Sequence, residues 1–202
     1  MAKVAGQKIS TPSELIALIG NQGVGNVVTI TFLRNKIVMT KDIKLTARPD
    51  DVALLRKHVE GKPFPNVQLE NMNSSSPTSF AAYKGMVVLV EFWATWCPAC
   101  KATHPRLSAF AKSAAGQNIV VVGISNEAKN DISNYTKNSN LTFEILRDPE
   151  EKLHTELKVS AIPMILVLDK EGVVRFATIG GGHYLEEAIQ KATELAAEKK
   201  TK

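Results

Sequence analysis

The sequence predicts an α/β fold, a central mixed sheet with helices on both faces, preceded by a small α+β segment. Two stretches predict the sheet. Val87-Val88-Leu89-Val90-Glu91-Phe92 and Ile119-Val120-Val121-Val122-Gly123-Ile124-Ser125 are nearly unbroken apolar runs. Strands read that way when both faces of their sheet are covered. A third stretch supplies cover: Leu185, Ala188, Ile189, Ala192, Leu195 and Ala196 recur at helical spacing. Strands alternating with such helices build layered α/β domains. A length of 202 residues and a hydrophobic fraction of 44% allow one ordinary domain and a smaller one.

Residues 1–48 read as the smaller unit. Thr11-Pro12-Ser13-Glu14 is a capping box with proline at the first helical position. Leu15, Ile16, Leu18 and Ile19 give the short helix an apolar face, and Gly20, Gly23 and Gly25 end it. Val27 to Leu33 is β-rich, Arg34-Asn35-Lys36 turns the chain, and apolar residues at 37, 39, 43 and 45 alternate as in a strand. Residues 49–61 read as a linker with a short helix, bounded by Arg48-Pro49-Asp50 and closed by Gly61. The main domain, 62–202, enters irregularly through Pro63 and Pro65 and passes a polar loop over residues 71–76. Its strands are expected at 87–92, 119–125, 143–146, 164–168 and 173–179, the last two joined by a turn at Asp169-Lys170-Glu171-Gly172. Its helices are expected from Cys97 to about Ala115, at 128–139, at 149–158 and near the C-terminus.

Several classes fall away on composition. The net charge of +5 is spread along the chain, and the one basic cluster, Lys199-Lys200-Thr201-Lys202, reads as a solvated terminus. No nucleic-acid partner is expected. Two cysteines, both in one Cys-x-x-Cys, exclude a separate structural disulfide and a four-thiolate zinc site. No apolar run approaches the length of a membrane span. Residues 1–7 lack the apolar stretch of a secretion signal, which fits a cytosolic protein or a chain without its natural start. No metal or cofactor is called for.

The Cys97-Pro98-Ala99-Cys100 stretch lies between a buried strand and a helix start. Disulfide exchange needs a thiolate, and free backbone N–H groups with the helix dipole favour one there. Cys97 is therefore the expected nucleophile. Cys100, one turn later on the same face, is the expected resolving thiol, more buried and less reactive. Pro98 suits the first turn, where its missing N–H has no helical partner. The plain alternative is a buried cysteine pair without redox work. Glu91 is the second candidate: a buried acid near the dithiol takes the proton from Cys100 when that thiol attacks. Its plain alternative is an outward-facing edge residue. Ile162-Pro163 is the third. A cis bond there would leave the Ile162 backbone beside the sulfurs for an extended substrate, although most X–Pro bonds are trans.

Taken together, these residues resemble the thioredoxin superfamily, in particular its TlpA/ResA-like branch. The resemblance covers about residues 62–197 and is carried by Val87 to Lys101, Pro105, Val120 to Ser125, Arg147-Asp148, Ile162-Pro163 and Val167 to Gly172. It implies a thioredoxin fold with a TlpA-like insertion over 126–158, a cis Ile162–Pro163 bond, and Trp96 as part of the substrate surface. It puts Glu91 where thioredoxins hold their buried acid. Thr103 stands where the branch commonly has glutamate, so Glu91 is expected to replace that acid. Met164 stands where thioredoxins usually have threonine, which makes the groove more apolar. His104 reads as a helix-surface residue. Residues 1–48 resemble the C-terminal half of an HtrA-type PDZ domain through Gly6-Gln7-Lys8-Ile9-Ser10, Pro12-Ser13-Glu14-Leu15 and Val28 to Arg34. A PDZ groove needs a strand that this half lacks, so peptide-end binding by this unit alone is not expected.

The expected activity is thiol–disulfide exchange with protein thiols and disulfides, in the reducing direction, with an upstream electron donor. A thiol peroxidase is the enzymatic alternative, although Ala94 replaces the threonine of a peroxiredoxin Thr-x-x-Cys. A reduced-state metal module using Cys97, Cys100 and His104 is the other. The resemblance implies a bacterial periplasm or cell-envelope location. A monomer is expected, with room for a membrane tether outside this chain.

Overall fold

Thr11 caps the first helix as the sequence requires: its hydroxyl accepts from the Glu14 amide at 3.2 Å, and the Glu14 carboxylate accepts from the Ser10 amide at 2.7 Å. A computed structural model describes residues 2–47 and 50–198, and the chain divides into two units between residues 49 and 50. Arg48 and Pro49 of the expected boundary, and the basic tail, lie outside the described residues.

The first unit contains β1 (Ala2–Val4), β2 (Gln7–Ile9), α1 (Pro12–Gly20), β3 (Val27–Arg34) and β4 (Ile37–Lys44). Its antiparallel sheet runs β2-β1-β3-β4. Asn35 and Lys36 turn the β3–β4 hairpin with φ of 51° and 65°, as a tight two-residue loop demands. The β1–β2 hairpin, turned at Ala5 and Gly6, is absent from the sequence reading, because three-residue strands are too short to show a period. Along β4 every residue is exposed, so the apolar alternation at 37, 39 and 43 marks no buried face.

The second unit starts earlier than its apolar pattern suggests. Helix α2 (Asp51–Val59), in the stretch expected as a linker with a short helix, buries Leu55 and Val59 in the core. Arg56 donates to the Ala177 carbonyl at 2.9 Å, and Glu60 accepts from the Ala177 amide at 3.0 Å. The remaining elements are β5 (Glu70–Asn71), a 3-10 turn (Phe80–Tyr83), β6 (Val87–Phe92), α3 (Pro98–Ser113), β7 (Ile119–Ser125), α4 (Lys129–Ser139), β8 (Glu144–Arg147), α5 (Lys152–Glu156), β9 (Met164–Leu168), β10 (Val174–Ile179) and α6 (His183–Ala197).

The six-stranded sheet runs β10-β9-β6-β7-β8-β5. β6, β7 and β8 are parallel, whereas β9, β10 and β5 join antiparallel, so the sheet is mixed. The two-residue period of β6 divides the core. Val87, Leu89 and Trp93 pack with α3, α4 and α6, while Val88, Val90 and Phe92 pack with α2, α5 and the 3-10 turn. Glu91 shares the parity of the first set and therefore points under α3. Arg106 of α3 and Glu186 of α6 form a two-pronged ion pair at 2.7 and 2.8 Å. The guanidinium holds the Glu186 carboxyl below its ordinary value, and both side chains stay largely in water.

Candidate active site

Strand β6 ends at Phe92, and five residues later Cys97 caps α3. The loop between them is held by Glu127. Its carboxylate accepts from the Thr95 amide and the Thr95 hydroxyl, each at 2.6 Å. The Glu127 carbonyl in turn accepts from Arg147 at 2.7 Å, and Arg147 pairs with Glu70 at 3.0 Å. Trp96, next along, is 70% exposed and stands out of the surface.

Cys97 and Cys100 form a disulfide. Both are buried, Cys100 completely. The Cys100 amide donates to the Cys97 sulfur at 3.1 Å, and Pro98 fills the first helical position. One of the free donors of the helix start is thus aimed at the Cys97 sulfur. The Ile162–Pro163 peptide is cis, and the Ile162 carbonyl oxygen lies 3.9 Å from the Cys97 sulfur. Trp96, Cys97, Ile162 and Pro163 therefore meet at one edge of the fold, with Pro163 buried and Ile162 half-buried.

Glu91 has no exposure at all. The Thr103 hydroxyl donates to its Oε1 atom and also lies 2.6 Å from the Cys100 carbonyl oxygen. Thr103 thus ties the buried carboxyl to the turn of helix that carries Cys100. Gly181 leaves room for that contact: a Cβ there would stand 2.8 Å from the Thr103 methyl.

His104 differs from its expected surface position. It is 2% exposed, its Nε2 lies 3.2 Å from Glu91 Oε2, and its Nδ1 pairs with the Tyr135 hydroxyl at 2.9 Å. The Glu91–His104 contact is close enough for an ion pair but is not aligned as a hydrogen bond, and both atoms otherwise lack a partner. The indole N–H of Trp93 is a third buried polar atom without a partner in the same neighbourhood. With its two nitrogens facing Tyr135 and Glu91, His104 gives no support to a metal site with the cysteines. Among the described residues no group of three or more His, Cys, Asp or Glu side chains forms a metal cluster.

Thr103, Glu127 and Tyr135 were not among the candidate site residues read from the sequence. The signal for His104 was present: residues 97, 100, 104 and 107 share one face of a helix whose Cys97, Cys100 and Leu107 belong in the core. Glu127, in the loop after β7, and Tyr135 of α4 reach the site by folding alone, with no spacing to announce them.

The AhpC/TSA family matches residues 60–177. The thiol:disulfide interchange protein DsbE of Yersinia pestis is 30% identical over 155 residues, covering 75% of this chain and 80% of that protein. The DsbE of Escherichia coli (strain K12) is 29% identical over 155 residues, covering 75% and 82%. Among solved structures, the exposed lipoprotein thioredoxin of Streptococcus pneumoniae strain TIGR4 superimposes with a TM-score of 0.58 at 27% identity, covering 65% of this chain and 100% of that one. A thioredoxin-family thiol:disulfide interchange protein from Chlorobium tepidum TLS gives 0.57 at 26% identity, covering 67% and 95%. The family match starts at residue 60 and so leaves the PDZ resemblance of the first unit unsupported. The chain belongs to the AhpC/TSA family of the thioredoxin superfamily, and it is a thiol–disulfide oxidoreductase close to the DsbE and ResA type.

Proposed function

We propose that the protein reduces disulfides in protein substrates, with Cys97 attacking, Cys100 resolving and Glu91 taking the Cys100 proton. The observation that carries this reading is the Cys100 amide donating to the Cys97 sulfur at the first turn of α3. In the reduced protein the Cys97 thiolate attacks a substrate disulfide, and one substrate sulfur leaves. Cys100 then gives up its proton and attacks Cys97. The Cys97–Cys100 disulfide forms, the second substrate sulfur leaves, and the substrate has gained two electrons. An upstream thiol donor restores the dithiol. The cis Ile162–Pro163 edge and the exposed Trp96 ring fit an extended substrate segment lying across Cys97. The reducing direction is supported by Pro98 and Ala99. Neither adds positive charge beside Cys97, whereas strong oxidants owe their potential to a stabilised reduced form.

Further parts of the reading concern setting. An extracytoplasmic place is supported by the likeness to an exposed lipoprotein thioredoxin. No helix among the described residues is long and apolar enough to cross a membrane. The protein works as a monomer in this reading. The first unit, two hairpins and a helix, fits a PDZ-like half-domain.

Insulin reduction with dithiothreitol as donor tests the activity. The wild-type chain is expected to speed precipitation of the insulin B chain, and Cys97→Ser to give only the background rate. Equal rates for wild type and Cys97→Ser would overturn the reading.

A further inference from the structure

Glu91 has no contact with solvent, so a proton placed on it needs a route out before the next cycle. Behind its Oε2 atom the polar contacts continue. His104 Nε2 is 3.2 Å away, and His104 Nδ1 lies 2.9 Å from the Tyr135 hydroxyl. Tyr135 sits on α4 and is half-buried. Apolar surfaces wall off the path: the Trp93 ring stands edge-on to the imidazole at 4.9 Å, and the Phe143 ring at 5.7 Å. An imidazole with a carboxyl oxygen at one nitrogen and a hydroxyl at the other can accept a proton on one side and release one on the other. The packing supplies no reason for a histidine at this place, since a core position between rings is filled more cheaply by an apolar side chain.

We propose that Glu91, His104 and Tyr135 form a proton outlet that carries the Cys100 proton to the surface of α4. This rests on the reading of Glu91 as the acceptor. When Cys100 attacks the mixed disulfide, its S–H proton passes to the Glu91 carboxylate. A small turn of the His104 ring aligns its Nε2 with Glu91 Oε2, which hands it a proton; the Nδ1 proton moves to the Tyr135 oxygen, and the Tyr135 hydroxyl proton leaves to water. Meanwhile the Cys100 sulfur bonds to Cys97, the Cys97–substrate bond breaks, and the leaving substrate thiolate takes a proton from water. One proton has crossed the core, and the two electrons end on the substrate. The same chain runs backwards when a donor reduces the disulfide. The titratable groups set against His104 are Glu91 of β6 and Tyr135 of α4. Those set against Tyr135 are His104 and Lys101, both of α3, the Lys101 ammonium lying 5.6 Å from the ring centre. Neither His104 nor Tyr135 touches the reacting sulfurs; both act through Glu91.

Rapid mixing of the fully reduced chain with dithio-bis-nitrobenzoate separates the steps. The first nitrothiobenzoate release reports attack by Cys97, and the second reports resolution by Cys100. Tyr135→Phe, which keeps the ring and removes only the hydroxyl, is expected to slow the second phase about tenfold near neutral pH and leave the first unchanged. His104→Gln is expected to do the same. The deficit should shrink as pH rises, because hydroxide then takes the proton without the outlet. Glu91→Gln, run in parallel, separates the two readings. A slow second phase in Glu91→Gln with wild-type behaviour in Tyr135→Phe and His104→Gln overturns the outlet and keeps the acceptor. A normal second phase in Glu91→Gln overturns both. Equal slowing of both phases at every pH in Tyr135→Phe marks a structural role and also overturns the outlet. Should His104→Gln fold poorly, Tyr135→Phe decides alone.

Discussion

Glu91 enters the core on a strand whose other five residues are apolar, and it is kept there by neighbours that the sequence does not place beside it. Its burial was legible, because an acid inside a run such as Val87–Phe92 has no wet face to turn to. Its partners were less so. Thr103 was visible only as a departure from the glutamate that the resemblance leads one to expect. The structure gives the departure a physical sense: the acid comes from the strand, and the helix answers with a hydroxyl that reaches Glu91 and the Cys100 carbonyl. Two acids at these places would face each other in a dry core, at a large cost. Thr103→Val keeps the shape and removes the hydroxyl, leaving Glu91 Oε1 without its donor. The loss of a partner to a buried polar group predicts a stability decrease of about 1–3 kcal/mol. Urea unfolding of the oxidised protein measures it, and an unchanged midpoint would show that the hydroxyl carries no weight.

Strands and helices long enough to complete a period were readable. Val87–Phe92, Ile119–Ser125 and the last helix lie where the apolar pattern puts them. The two-residue β5, the 3-10 turn at Phe80–Tyr83 and the three-residue strands β1 and β2 were not, since two or three residues hold no period. Glycine inside β7 is a further case. Gly123 interrupts a β-branched run, and composition gives no reason for it. A Cβ there would stand 2.9 Å from the Trp93 indole nitrogen, 3.0 Å from Phe143 and 3.1 Å from Ile145. The strand therefore gives up a little β-propensity to leave room for the Trp93 ring. Gly123→Ala forces that ring or its neighbours to shift and should destabilise by about 1–3 kcal/mol, as overpacking does. Thermal unfolding of the variant checks this; a raised melting temperature would mean that the space beside Trp93 is open.

At the scale of the whole molecule the two units differ in how much core they own. In the first, the buried apolar residues among those described are Val4 and Val28, while the second fills both faces of a six-stranded sheet. The sequence shifts from one short helix and hairpin to a repeating strand–helix pattern. The place of residues 51–59 in the core was not legible, because Leu55 and Val59 show their role only against β10 and the 3-10 turn. Thin cores open at low free energy. Hydrogen exchange should therefore be faster by orders of magnitude in β3 and β4 than in β6, β7 and β9, and similar protection in both units would contradict this. The proposed function rests on the second unit, with Cys97 proposed to attack and Cys100 to resolve. Mass spectrometry of Cys100→Ser after reaction with a disulfide-bonded peptide tests that division of labour. A single stable adduct on Cys97, absent from the Cys97→Ser variant, is the predicted result. No adduct on Cys100→Ser, or an equally stable adduct on Cys100 in Cys97→Ser, would contradict it.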